Sequence, residues 1–117
     1  MARLSTHVLD ATNGTHAAGL RIELSRVAEG GKRNLLLSEV TDSSGRISAD
    51  VPATESDAGM TCELSFQLGE YFECGTLPNG ERILREAALR FIMSDPQRAY
   101  HIPVIIAPSG CSIWCSR

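Results

Sequence analysis

The feature that most constrains this chain is its rhythm. Short apolar runs alternate with Gly, Asn, Asp and Ser turn signals about every ten residues. Within the runs the period is two. Leu20, Ile22 and Leu24 alternate with Arg21, Glu23 and Ser25, the spacing of a strand with one buried face. Residues 4–9 place Leu4, Thr6 and Val8 on one face and Ser5, His7 and Leu9 on the other. Residues 60–68 place Met60, Cys62, Leu64, Phe66 and Leu68 together. A series of short strands with frequent turns builds a two-sheet sandwich or a barrel.

The turn signals divide the chain further. Asn13-Gly14 and Gly19 mark residues 11–19 as a loop. Glu29-Gly30-Gly31-Lys32 closes a hairpin whose return strand is residues 34–41. Asp42-Ser43-Ser44-Gly45 is a tight turn before a short strand at residues 46–49, and residues 50–59 form a surface loop. Residues 69–74 lack alternation and suit a single helical turn. The stretch Thr76-Leu77-Pro78-Asn79-Gly80 breaks the chain. Residues 81–93 carry two competing periods: Ile83, Leu84, Ala87, Ala88 and Phe91 fit a helix, while Leu89, Phe91 and Met93 fit a strand. Residues 100–107 read as an apolar strand and residues 112–117 as a last one.

Composition narrows the function. The 117 residues make one domain, and 43% apolar content supports a core. A domain this small gains from association. The net charge is -3 and the aromatics are scattered, which argues against a nucleic-acid partner. A small neutral or anionic molecule held by a few Arg and His remains open. No apolar run approaches the ~18 residues of a membrane span, and no signal-peptide pattern opens the chain, so a cytoplasmic protein is expected. Cys62, Cys74, Cys111 and Cys115 form no C-x-x-C pair; free thiols are expected, with no metal and no cofactor.

Three segments carry a resemblance. They are Leu4-Ser5-Thr6-His7-Val8-Leu9-Asp10 with Asn13-Gly14 and Ala17-Ala18-Gly19; Val40-Thr41-Asp42-Ser43-Ser44-Gly45-Arg46; and Asp95-Pro96 through Tyr100-His101-Ile102-Pro103-Val104 to Pro108. Together they resemble the transthyretin-like family, in its 5-hydroxyisourate hydrolase branch. Gly69-Glu70-Tyr71-Phe72 is similar to that family's short helix. The resemblance implies an all-β sandwich of two four-stranded sheets, about eight strands in one domain spanning residues 1–117, with one short helix. It makes residues 81–93 a strand despite their helix propensity. It also implies a homotetramer whose sites lie where two dimers meet.

In the hydrolases the site uses a His on the first strand, an Arg after the Gly turn and a His on the seventh strand. His7, Arg46 and His101 match these positions. A C-terminal Tyr-Arg-Gly-Ser completes the family's site. Here Trp114, Cys115, Ser116 and Arg117 stand at those positions as expected substrate contacts, and Ala99 replaces the first His of a His-Tyr-His motif. His16 falls in a loop and is expected to play no part in the site.

Opening a cyclic ureide requires an activated water, a stabilised carbonyl oxygen and a proton for the leaving nitrogen. Two histidines suit the proton transfers because imidazole titrates near working pH. An arginine suits a ring carbonyl through paired hydrogen bonds. Two alternatives stay open: a divergent member acting on a different heterocycle, and a non-catalytic binding protein of the same fold.

Overall fold

The computed structural model describes residues 2–52, 57–73 and 84–115. In chain order the elements are β1 (Ala2–Asp10), β2 (Thr15–His16), β3 (Arg21–Val27), β4 (Arg33–Val40), β5 (Arg46–Val51), β6 (Met60–Phe66), α1 (Leu68–Glu73), β7 (Ala87–Met93), β8 (Ala99–Ala107) and β9 (Gly110–Ile113). They form two sheets. One has the order β2-β1-β8-β9, with β5 also paired to β1; the other runs β4-β3-β6-β7. The expected sandwich is therefore present, with β2 as an added two-residue strand. Among the described residues no helix is long and apolar enough to cross a membrane.

The period-two pattern sets which faces meet. In β1, Leu4, Thr6 and Val8 are buried, whereas Ser5 and His7 are half-buried and Leu9 is exposed. Val8, Leu4, Ile102 and Ile106 from the first sheet join Ile22, Leu24, Leu64, Phe66 and Met93 from the second in one core. Each such side chain contributes about 1.5–3 kcal/mol on burial, so strand register is strongly specified: a one-residue slip would turn the core face outward.

Two polar devices brace the core. Glu63 on β6 is nearly buried and receives hydrogen bonds from Arg33 at 2.6 Å and Arg90 at 3.1 Å. The bonds from these two guanidinium groups hold its carboxyl below the usual glutamate value. On α1, Leu68 and Phe72 are buried. The Tyr71 hydroxyl donates to Asp10 Oδ2 at 2.9 Å, tying the helix to the end of β1. Burial, reinforced by this carboxylate, pushes the Tyr71 phenol up to about 12.

Several boundaries differ from expectation. Residues 11–19 contain β2, because the turn at Asn13-Gly14 folds the chain back so that Asp10 pairs with Thr15 and Leu9 with His16. Strand β5 runs on to Val51, into the stretch expected as loop, because β1 offers it partners as far as Ala2. Leu68 opens α1 rather than ending β6. The last described strand is Gly110–Ile113, set by its pairing with the far end of β8; it begins before residue 112 and ends before Trp114, and residues 116–117 of the expected strand lie outside the described residues. Strand β7 begins at Ala87; the proposed strand residues 81–83 lie outside the described residues, as does Cys74.

One glycine joins three strands. Gly45 has φ +72°, and a Cβ there would stand 2.5 Å from the Val8 carbonyl oxygen and 3.2 Å from the His16 Cβ. Its own carbonyl accepts the Val8 amide at 2.8 Å, and the Val8 carbonyl accepts the Ala17 amide at 2.9 Å. Asp42 Oδ1 accepts the amides of Ser44 and Arg46, fixing the same turn. Those bonds hold the Asp42 carboxyl below the usual aspartate value. Thr41, buried, donates to the Ala17 carbonyl and accepts the Leu20 amide. Gly45→Ala therefore meets both a left-handed backbone and a rigid carbonyl. Denaturant unfolding is expected to show a loss of about 2–5 kcal/mol, whereas Gly30→Ala, with open space around it, should cost less.

Candidate active site

The register of β1 assembles the three motif residues. His7 pairs directly with Arg46 on β5, and Ser5 pairs with His101 on β8. Odd-numbered residues of β1 face away from the core, so these partners lie on the same outer face. Three rows cross that face. The first is Ser48, Ser5 and His101; the second is Arg46, His7 and Pro103; the third is His16, Leu9, Ile105 and Ser112. Neighbouring strands are about 4.8 Å apart, so the two imidazoles and the guanidinium occupy adjacent columns.

Each ring is oriented by a partner. The Ser5 Oγ lies 2.8 Å from His101 Nδ1, which leaves Nε2 as the nitrogen not engaged by Ser5. The Thr6 hydroxyl donates to the Ile102 carbonyl, fixing β8 against β1 from the core side. His7 Nε2 lies 3.0 Å from His16 Nδ1, with ring centroids 5.1 Å apart. Partial burial holds the His7 ring below the usual histidine value; the positive charge of Arg46 and interactions with His16 and His101 act in the same direction, opposed by a hydrogen bond to the Ser44 backbone. A ring so placed is neutral at neutral pH.

His16, expected in a loop, stands on β2 beside His7. The signal was in the sequence. Asn13-Gly14 is a hairpin turn, and a hairpin there returns the chain alongside the end of β1.

The chain end is only partly described. The Trp114 amide donates to the Pro103 carbonyl at 3.3 Å, extending the β8–β9 register by one residue beyond β9. That puts Trp114 in the His7 row, two strands away, with its side chain about half exposed. Cys115 follows it and is exposed. The expected contacts Ser116 and Arg117 lie outside the described residues. Around the polar groups the same face carries exposed Leu9, Ile105 and Trp114.

Residues 4–115 match the HIUase/Transthyretin family. The chain belongs to that family. A relative from Halalkalibacterium halodurans, named 5-hydroxyisourate hydrolase, is 36% identical over 113 residues, covering 96% of this chain and 95% of the relative. The solved 5-hydroxyisourate hydrolase of Klebsiella pneumoniae is 31% identical with a TM-score of 0.77, and the alignment covers 100% of both chains. Transthyretin from Sparus aurata superposes with a TM-score of 0.78 at 19% identity, covering 97% of this chain and 95% of that one. This last likeness establishes the shared fold and nothing about chemistry.

Proposed function

We propose that this family member is a 5-hydroxyisourate hydrolase. The observation that carries the proposal is that His7, Arg46 and His101 share one outer sheet face, in a chain whose near full-length relatives bear that name. His101, whose Nε2 is not engaged by Ser5, acts as the base: it takes a proton from water, and the resulting hydroxide attacks a ring carbonyl, while His7 lines the site beside Arg46. Arg46 binds that carbonyl oxygen and stabilises the charge that develops on it. The tetrahedral carbon then expels the ring nitrogen, which takes a proton from His101. The C–N bond breaks, a carboxyl group forms, and the elements of one water are consumed. No redox partner or cofactor enters this balance.

Trp114 supplies a flat apolar surface two strands from His7 on which a planar ring can stack. Cys115, with Ser116 and Arg117, completes the substrate contacts. Water must be excluded for Arg46 to act at full strength, and exposed Leu9, Ile105 and Trp114 around the polar groups want cover. We therefore assign a homotetramer in which two such faces meet. The free thiols of Cys62, Cys111 and Cys115 suit a reducing compartment, and we place the protein in the cytoplasm, in purine breakdown.

Purified protein is expected to accelerate the loss of 5-hydroxyisourate ultraviolet absorbance. His101→Ala should reduce that acceleration by at least about a hundredfold, as removal of a general acid does. A wild-type protein without acceleration would reject this substrate.

The chain end favours a second reading, action on a different heterocycle. Cys115 stands where the resembled pattern has arginine, so a charge is missing beside the site. Under this reading the combined change Trp114→Tyr, Cys115→Arg, Ser116→Gly and Arg117→Ser raises kcat/KM for 5-hydroxyisourate by about tenfold or more. An unchanged or lower value would remove it.

A further inference from the structure

A histidine base needs one bare ring nitrogen, and the hydrogen on its other nitrogen has to be held by a partner. His101 on β8 pairs across the parallel ladder with Ser5 on β1. The Ser5 hydroxyl oxygen lies 2.8 Å from His101 Nδ1, a full hydrogen bond. The contact follows from the lengths of the two side chains. Strands stand about 4.8 Å apart. A serine oxygen sits one bond beyond Cβ, so it reaches the ring nitrogen nearer the backbone and leaves Nε2 unengaged. The backbone beside the pair is fixed from the core side. Buried Thr6 donates its hydroxyl to the Ile102 carbonyl, one position further along both strands. Ser5 and His101 are themselves half-buried, so water competes less for their bond.

The direction of this bond decides what His101 can do. A serine hydroxyl donating into Nδ1 would put the ring hydrogen on Nε2, and a neutral ring could then take no proton there. With Nδ1–H donating to the serine oxygen, Nε2 carries the lone pair. The same arrangement serves the next state. Once Nε2 has taken a proton from water, Nδ1–H still donates to Ser5, now from a cation. A hydrogen bond from a charged donor is about twice as strong as a neutral one. When Nε2–H protonates the leaving nitrogen, the ring returns to its first state with the serine bond unbroken. Ser5 accepts at every stage, and the ring never has to turn.

We propose that Ser5 is the positioning residue of His101: its hydroxyl oxygen accepts Nδ1–H, keeps the Nε2 lone pair available to the reacting water, and steadies the imidazolium that forms in the transition state. This rests on the reading of His101 as the base. It gives a half-buried serine the part that an orienting carboxylate plays beside other histidine bases. It also divides the work of β1. Ser5 orients a ring on β8, while His7, two residues further on, stands opposite Arg46 on β5.

Three variants separate the hydroxyl from the space it fills. Ser5→Ala removes it, Ser5→Thr keeps it, and Ser5→Val has the shape of threonine without it. The His101 tautomer is read from ring 15N shifts, without substrate, at about pH 8.5, where imidazole side chains are neutral. His101 is expected mainly in the Nδ1–H form in wild type and Ser5→Thr, and shifted toward the Nε2–H form in Ser5→Ala and Ser5→Val. With 5-hydroxyisourate, kcat should fall about three- to tenfold in Ser5→Ala and Ser5→Val, the effect of one lost hydrogen bond. KM should change less than about twofold, and Ser5→Thr should stay within about twofold of wild type in both constants. An Nε2–H tautomer in wild type, an unmoved tautomer in Ser5→Ala and Ser5→Val, or equal kcat losses in Ser5→Thr and Ser5→Val would each overturn the proposal. The expected tautomers in a protein with no ring-opening activity keep the hold of Ser5 on His101 and reject the hydrolase assignment, so the two failures are distinct.

Discussion

The arrangement depends on the backbone contact between Gly45 and Val8. Strand β1 has one edge on β8, and it must share its other edge between β2 and β5. Gly45 makes that sharing possible because only a residue without a side chain passes so near the Val8 carbonyl. With the contact made, Arg46 stands opposite His7. The parallel β8 on the other edge brings His101 opposite Ser5. Three residues remote in sequence become neighbours through register alone. No mobile loop is needed to hold them.

The core then makes the register rigid. Leu4, Thr6 and Val8 point inward on the strand whose Ser5 and His7 point outward. A shift of β1 by one position would put the core residues into water, so the packing that stabilises the sandwich also specifies which residues share the outer face. The outer face is mixed by the same logic. Its polar centre holds two imidazoles and a guanidinium, and its apolar border of Leu9, Ile105 and Trp114 suits a covering partner.

Much of this was legible in the sequence. Alternation gave the faces of β1, β3 and β6, because a strand with one dry face must alternate. Asp42 and Gly45 were legible as a turn because their residue types favour it. The identity of β7 was not settled by propensity: its Ala-Ala-Leu start suits a helix, and the ladder to β6, from Phe66 with Ala87 to Met60 with Met93, makes it a strand. That pairing is long-range and leaves little local trace. That His16 lies on a strand was only partly legible, through the Asn13-Gly14 turn. A two-residue strand has no period, and its position follows from the edge that β5 leaves open. The matches at His7, Arg46 and His101 were visible as motif positions, but only the pairing of β1 with β5 and β8 reveals that they share a face.

On the proposed function, this outer face binds a planar ureide through His7, Arg46 and His101. Uric acid is a stable, flat probe of that chemistry, and its binding is followed by NMR of histidine rings and arginine side chains. Saturable shifts of His7, His101 and Arg46 together, with Arg33 and Arg90 on the opposite sheet unmoved, are the predicted result. Shifts confined to Arg33 and Arg90, or none at the three motif residues at saturating probe, would contradict it.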